Sequence, residues 1–282
     1  MAVMATVITA RDLDARAIET CGDIQTKVGS AAYCVVMADP TKNSDILYYF
    51  HGAATLDNAA PAKGAIGGAG LLPERWPSPA PTVIAVSFGP RWILKDQWLA
   101  AFADQIVPAV EAKLELSPAR RMMLGASMGG LNAYLVWALR PDIVHLAGFQ
   151  CPGFTRVGPF ATREEKRAAA ERIVGNNRPW LFRRDGPVVE QIKLFDIISD
   201  IYKPLFVSAQ EWDTYQPPGL MARIGNRRLP PAYVVHNLRD QFDLHDGEEL
   251  SRNNRAVMRE VVDSEHCQGV LTDGLLRFFA RN

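Results

Sequence analysis

The chain has 282 residues, of which 48% are hydrophobic and 22% are charged, and these are the proportions of an ordinary globular protein. Its 31 basic and 31 acidic residues cancel, so no overall charge attracts nucleic acid or an anionic membrane, and a substrate that is neutral or is selected by local charges is favoured. No run approaches the roughly 18 apolar residues of a membrane span, and the N-terminal segment lacks the pattern of a secretion signal. We therefore expect a single domain, residues 1–282, in the cytoplasm.

Strands and helices alternate along most of the chain. Short apolar runs predict strands at residues 5–10, 31–38, 46–50, 83–88, 122–124, 144–149, 204–209 and 256–262. Apolar residues spaced by three and four predict helices at residues 97–116, 131–139, 162–174, 188–201 and 271–280. Such alternation implies parallel pairing, with helices on both faces of the sheet. The predicted fold class is therefore α/β, with a mostly parallel central sheet.

Two segments interrupt the alternation. Residues 59–81 are rich in Ala, Gly and Pro, which predicts a long loop, and their glycines fit no phosphate-binding motif. Residues 152–203 contain helical patterns and follow the strand predicted at 144–149. An insert at that point would lie over the carboxyl edge of the sheet, so we expect it to act as a cap within the single domain.

The chain shows no metal or cofactor motif. Its four cysteines are Cys21, Cys34, Cys151 and Cys267. They are scattered and lack the C-x-x-C spacing of a zinc or redox site, so we expect free thiols. The histidines and aspartates likewise have no metal-ligand spacing. We predict neither a metal nor a cofactor.

The most informative segment is residues 120–134, RRMMLGASMGGLNAY, which contains the spacing G-x-S-x-G. An apolar run precedes Ser127 and a helical pattern follows it. A serine at such a strand-to-helix turn has a strained backbone, and its side chain lies at the carboxyl edge of the sheet. Gly125 and Gly129 give it room, because a β-carbon at either position would meet the neighbouring strand or the first helical turn. Ser127 is therefore the candidate nucleophile.

A serine hydroxyl becomes nucleophilic when an imidazole takes its proton and a carboxylate orients that imidazole. Both partners must follow strands, because only then do they reach the edge where the serine lies. Asp213 follows the strand predicted before it and is the candidate acid, with Glu211 as the alternative. His266 follows the last predicted strand and is the candidate base, with His236 and His245 as alternatives.

The strand at 46–50 ends in His51-Gly52-Ala53, ahead of the serine motif. Attack on an ester carbonyl creates an oxyanion, and preset backbone N–H donors can stabilise it by roughly 3 kcal/mol each. We expect one donor to be the N–H of Met128, directly after the serine. The other would be the N–H of Ala53 or Gly52.

Several segments together resemble the α/β-hydrolase superfamily. They are FHGAA (50–54), GASMGG (125–130), LRPDIVHLAGFQCPGF (139–154), LFVSAQEWDTY (205–215) and SEHC (264–267). The chain is most similar to the esterase group that includes esterase D (S-formylglutathione hydrolase), feruloyl esterases and the antigen 85 acyltransferases. The resemblance implies Ser127 as nucleophile, Asp213 as acid, His266 as base and the loop after residue 50 as part of the oxyanion hole. The chain departs from the group at Ala126, where many members have histidine, and in the loop 59–81.

The sequence thus predicts a cofactor-independent serine hydrolase that cleaves small-molecule carboxylic esters through an acyl-enzyme. An acyltransferase, a thioesterase or a peptidase could use the same three side chains. A non-catalytic binding protein on this fold is a further alternative, although such a protein would normally have lost one member of the triad.

Overall fold

The computed structural model describes residues 20–36, 44–53, 75–77, 79–175, 187–240, 242, 250, 254, 256–268 and 271–282. Its eight-stranded sheet contains β1 Thr20–Thr26, β2 Gly29–Val36, β3 Ile46–Phe50, β4 Thr82–Ser87, β5 Arg121–Ala126, β6 Leu146–Gln150, β7 Ala232–Asn237 and β8 Val257–Val262. The strand order is β1-β2-β4-β3-β5-β6-β7-β8. β2 pairs antiparallel with its two neighbours, β1 and β4. All the other neighbouring strands, from β4 through β3 and on to β8, pair in parallel. The predicted fold class is confirmed.

Helices cover both faces of this sheet. They are α1 Asp96–Ala101, α2 Val107–Lys113, α3 Met128–Leu139, α4 Arg163–Gly175, α5 Pro187–Tyr202, α6 Ala209–Tyr215, α7 Pro217–Ile224 and α8 Asp273–Arg281. Short 3₁₀ turns cover Pro141–Ile143 and Lys203–Leu205. Side chains of β3 alternate between two hydrophobic cores: Tyr48 packs in the core that contains α3, and Tyr49 packs in the core that contains α8. The central strands therefore read as continuous apolar runs because both of their faces are buried.

The helix predicted at 97–116 is divided by a π-helical turn, Phe102–Ile106, between α1 and α2. Pro108 follows this turn at the start of α2. Proline has no N–H to donate, and its ring clashes with the carbonyl four residues earlier, which here belongs to Asp104. The irregular turn therefore lies where a regular α-helix could not accommodate the proline.

The strand predicted at 204–209 is wrong. Those residues form the end of a 3₁₀ turn and the approach to α6, and Val207 is 87% exposed. The strand that enters the sheet beside β6 is β7, which the sequence analysis missed. Both segments are short and apolar, and such a run can be either a strand or the flank of a helix when it is judged by periodicity alone. The loop that reaches the carboxyl edge beside β6 is consequently the one after β7 and not the one after residue 209.

The insert has a hydrophobic cluster of its own. α4 and α5 pack around Val157, Ala169, Ala170, Ile173 and Phe195. Residues 176–186, within the insert, lie outside the described residues, as do the predicted strand 5–10 and most of the loop 59–81.

The expectation of free thiols is wrong, because all four cysteines form disulfides. Cys21 and Cys34 lie opposite each other on β1 and β2. Cys151, directly after β6, is joined to Cys267 across 116 residues of sequence. The pairing of β1 with β2 brings the first two cysteines together, and the segment after β8 brings Cys267 to the end of β6. A spacing motif in the sequence does not indicate such proximity.

Candidate active site

Ser127 occupies the turn between β5 and α3, with a left-handed φ of 55°. The predicted roles of the glycines are confirmed: a β-carbon at Gly125 would meet the carbonyl of Gly129, and one at Gly129 would meet the carbonyl of Phe50. The Ser127 N–H donates to the carbonyl of Gln150 over 3.0 Å. The serine therefore has the strained backbone expected of a sharp turn at the carboxyl edge of the sheet.

His266 lies between Ser127 and a buried carboxylate. Its Nε2 is 2.9 Å from Ser127 Oγ, and its Nδ1 is 2.5 Å from Oδ2 of Asp240. Asp240 is 3% exposed, and its other oxygen accepts a 2.8 Å hydrogen bond from the N–H of Phe242. A proton on Nδ1 satisfies the carboxylate and leaves Nε2 as an acceptor for the serine hydroxyl. The arrangement is suited to removing the serine proton.

The structure does not bring Asp213 or Glu211 to His266. Both residues lie in α6, where Asp213 is exposed. Glu211 is instead paired with Lys95, with 2.5 Å between Oε1 and Nζ. Neither carboxylate accepts the hydrogen bond from Nδ1 of the imidazole, so the candidate acid is corrected from Asp213 to Asp240.

The sheet explains this correction. Asp240 follows β7, and its N–H donates to the carbonyl of Asn237 in the turn that ends the strand. Because β7 lies beside β6, this turn opens at the edge where Ser127 lies. The apolar run AYVVHN (232–237), followed by LRD (238–240), was the signal available in the sequence. Of the alternative bases, His236 lies within β7, and His245 is outside the described residues.

His51 is a buried residue that holds the loop after β3. Its Nδ1 donates to the carbonyl of Gly52 over 2.6 Å. Its Nε2 accepts from Nε1 of Trp92 over 3.2 Å and lies 2.7 Å from Oγ of Ser87. An indole N–H can only donate, so Nε2 carries no proton and the neutral ring is protonated on Nδ1.

The contact with His51 has a consequence for the predicted oxyanion donors. The Gly52 carbonyl and the Ala53 N–H belong to one trans peptide, in which the two groups lie on opposite sides. Because the carbonyl is turned toward His51, the N–H of Ala53 is turned away from His51. Gly52 also packs against the serine, because a β-carbon there would lie 3.3 Å from Cβ of Ser127. Met128 is the first residue of α3, and its N–H has no acceptor within the helix.

The stability of the protein should depend on pH through His51. Burial lowers its pKa below 6.5, and the hydrogen bond to the Gly52 carbonyl opposes this shift only in part. Between the lowered pKa and 6.5 the unfolded chain binds more protons, so the free energy of unfolding rises with pH. The contribution of His51 is complete above pH 6.5 and is lost as the pH falls through the folded-state pKa.

Urea unfolding between about pH 5 and pH 8 tests this dependence. His51→Gln keeps an amide donor and acceptor but does not titrate. We expect its unfolding free energy to rise less steeply with pH than that of the wild type, by up to about 1.4 kcal/mol per pH unit. Equal slopes in the two proteins would contradict the role given to His51.

One group of potential metal ligands lies at this site within the described residues. The ligand atoms of Cys151, His266 and Cys267 all lie within 4.8 Å of one another. Zinc binds cysteine as a thiolate, and in the disulfide neither sulfur is one. The side chains as joined here therefore do not form a zinc site. In the described ranges, no helix is long and apolar enough to span a bilayer.

Comparison with known proteins gives a family match and a shared fold. Residues 33–217 match the family described as Putative esterase. A bacterial brefeldin A esterase, a homologue of human hormone-sensitive lipase, is 20% identical, with a TM-score of 0.60 over 92% of this chain and 72% of that one. An esterase of the hyperthermophilic archaeon Pyrobaculum calidifontis is 16% identical, with a TM-score of 0.56 over 88% of this chain and 78% of that one.

A Pyrococcus furiosus esterase is 14% identical, with a TM-score of 0.57 over 96% of this chain and 91% of that one. None of the curated proteins matches the sequence. The structural neighbours agree in their fold, which is that of α/β-hydrolase esterases.

Proposed function

The chain belongs to the Putative esterase family of the α/β-hydrolase fold, and from this premise we propose that it hydrolyses carboxylic esters through an acyl-enzyme on Ser127. The observation that carries the proposal is the continuous contact from Asp240 through His266 to Ser127 Oγ. It supplies a nucleophile, a base and an orienting acid in one line.

In the first half of the reaction, Ser127 Oγ bonds to the ester carbonyl carbon while His266 Nε2 takes the hydroxyl proton. Asp240 remains ionised and holds the Nδ1–H of the imidazolium that forms. The N–H groups of Met128 and Ala53, with Gly52 as the alternative to Ala53, stabilise the oxyanion. His266 then gives the proton to the leaving alkoxide, and the alcohol departs from an acyl group bound to Oγ.

In the second half, a water molecule takes the place of the alcohol. His266 removes a proton from this water as its oxygen bonds to the acyl carbon. The proton returns to Ser127 Oγ when the acyl–oxygen bond breaks, and the carboxylic acid is released. The same two residues therefore complete both halves, and no cofactor is needed in this scheme.

The insert is proposed as a cap on the single domain. It begins at the site itself, since the N–H of Gly153 donates to the carbonyl of Ser127 over 3.0 Å. α4 and the first part of α5 then pack around their own cluster, whereas Ile198 and Tyr202, near the end of α5, pack in the core that contains α3. A segment with that position and its own core is suited to shaping the space in which the ester binds.

The two disulfides bear on where the protein works. Disulfides persist in oxidising compartments and are rare in the cytoplasm. They favour an oxidising compartment over the cytoplasmic location expected from the lack of a signal pattern and of a membrane-spanning run.

A fluorophosphonate probe tests the proposed nucleophile. We expect one probe molecule to bond per chain and peptide mapping to place it on Ser127, with loss of turnover of a short-chain aryl ester in step with labelling. Full turnover by a fully labelled protein, or a label on another residue, would overturn the assignment. Product analysis with an added alcohol separates the alternatives, because a transferase forms a new ester and a hydrolase releases the acid.

A further inference from the structure

The disulfide between Cys151 and Cys267 lies directly beside the proposed base. Cys267 follows His266 in the chain, and its Sγ lies 3.6 Å from His266 Nε2. Cys151 is buried and follows the last residue of β6. The cross-link therefore runs from a central strand of the sheet to the residue next to the imidazole.

The end of β6 also holds the serine turn. The carbonyl of Gln150 accepts from the N–H of Ser127 over 3.0 Å, and its side-chain Oε1 accepts from the N–H of Leu271 over 3.3 Å. Cys151 is fixed in turn to β7, because its N–H donates to the carbonyl of Val235 over 2.9 Å. Two consecutive residues, Gln150 and Cys151, thus contact both the nucleophile turn and the segment that follows the base.

Residues 264–268, the segment that contains His266, also contact β7 and the turn that follows it. Asn237 Nδ2 donates to Oγ of Ser264 over 2.5 Å and to the carbonyl of Gln268 over 3.2 Å. The N–H of Arg239 donates to the carbonyl of Ser264 over 3.1 Å. These polar contacts hold the two ends of the segment 264–268. The disulfide connects this segment covalently to the end of β6, where the carbonyl of Gln150 accepts from the N–H of Ser127.

The link joins two residues whose backbone conformations are both unfavourable. Cys151 has a φ of 37° and Cys267 a φ of 53°, both in the left-handed region. That region is uncommon for residues other than glycine, so each cysteine would relax from it if it were free to do so. Relaxation of Cys267 would rotate the peptide next to His266 and shift the imidazole relative to Ser127.

We propose that the Cys151–Cys267 disulfide positions His266 for the reaction, and that opening it lowers turnover while the protein stays folded. This inference rests on the function proposed above, since it assigns no chemistry to the sulfurs. A small dithiol opens the link by thiol–disulfide exchange: its two sulfurs join in a cyclic disulfide, and each cysteine gains one hydrogen. The dithiol is thereby oxidised by two electrons and the protein is reduced by two.

The experiment uses the variant Cys21→Ala/Cys34→Ala, which retains only the disulfide of interest. It is treated with a dithiol in the presence of a chelator, because the freed thiols and His266 would otherwise offer three ligands to zinc. Alkylation and mass measurement give the fraction opened. Turnover of a short-chain aryl ester and the near-ultraviolet circular dichroism are followed on the same samples.

We expect kcat to fall about 10- to 100-fold as the link opens, because a catalytic group displaced by about 1 Å can cost about 100-fold. KM should stay within about twofold. Fluorophosphonate labelling of Ser127 should slow by the same factor as kcat, and reoxidation should restore both. Before reduction, the variant should have the kcat and KM of the wild type, since the Cys21–Cys34 disulfide that it lacks joins β1 and β2 at the far edge of the sheet.

The outcomes separate this inference from the function on which it rests. An oxidised protein that neither hydrolyses esters nor reacts with the probe would overturn the proposed function. An active oxidised protein whose kcat is unchanged after complete opening would overturn the positioning role alone. Loss of the near-ultraviolet signal in step with kcat would also overturn it, because the link would then support the fold as a whole.

Discussion

Replacing Ser127 by alanine should lower kcat for a short-chain aryl ester by a factor on the order of 10⁶. The proposed reaction has no other atom that can carry the acyl group, so only the slow attack of water on a bound ester remains. The protein should stay folded, because alanine removes one oxygen, and the hydrogen bond of that oxygen within the described residues is to His266. Hydrolysis assays of purified protein, with circular dichroism as the folding check, measure this effect.

Ser208→Ala is the matched control for this substitution. Ser208 caps α6, where its side chain accepts from the N–H of Glu211, and it has no place in the proposed mechanism. Losing that cap should cost about 1 kcal/mol of stability and leave kcat unchanged. Turnover that survives in Ser127→Ala would contradict the nucleophile assignment, whatever the control shows.

The second large effect is expected at Asp240. Asp240→Asn replaces the buried carboxylate that accepts from Nδ1 of His266, so the imidazole loses the acceptor that fixes its tautomer and stabilises its protonated form. A change of this kind can lower kcat by about 10⁴-fold while the geometry is kept. Hydrolysis rates under saturating ester measure the loss.

Asp213→Asn provides the comparison. Asp213 is exposed on α6, away from the imidazole, and its substitution should leave kcat within about twofold of the wild type. A larger loss in Asp213→Asn than in Asp240→Asn would restore the acid suggested by the sequence. Such a result would mean that the segment after β7 does not serve the reaction as the structure suggests.

The parts of the fold that the sequence predicted well are those determined by local physics. The turn at Ser127 was predictable because G-x-S-x-G between an apolar run and a helical pattern satisfies several local requirements at once. The buried strands β3, β4 and β6 were predictable because their apolar runs end in clear turn or helix signals. His266 could be proposed because β8 and α8 on either side of it were both recognisable.

The candidate acid Asp240 could not be predicted because its position depended on which of two short apolar segments forms a strand. Residues 204–209 and the strand β7 differ little in composition, and what separates them is which one pairs with β6. Pairing across a sheet is a long-range property that local periodicity does not report. Once β7 is placed, Asp240 follows directly.

The disulfides show the same limit for covalent structure. Cys21 and Cys34 face each other only because β1 and β2 pair in one register, which aligns these two residues. Cys151 and Cys267 meet because β6 and the segment before α8 converge at the carboxyl edge. In both cases the sequence separation carries no information, and the fold has to be known first.

The backbone conformation of Ser127 also has a cost in folding free energy. A non-glycine residue at a φ of 55° costs roughly 1 kcal/mol or more relative to glycine, which adopts that region freely. Selection for thermodynamic stability alone would therefore place glycine at this turn. A serine in so unfavourable a conformation is what is expected where the benefit of an exposed hydroxyl outweighs a small loss of folding free energy.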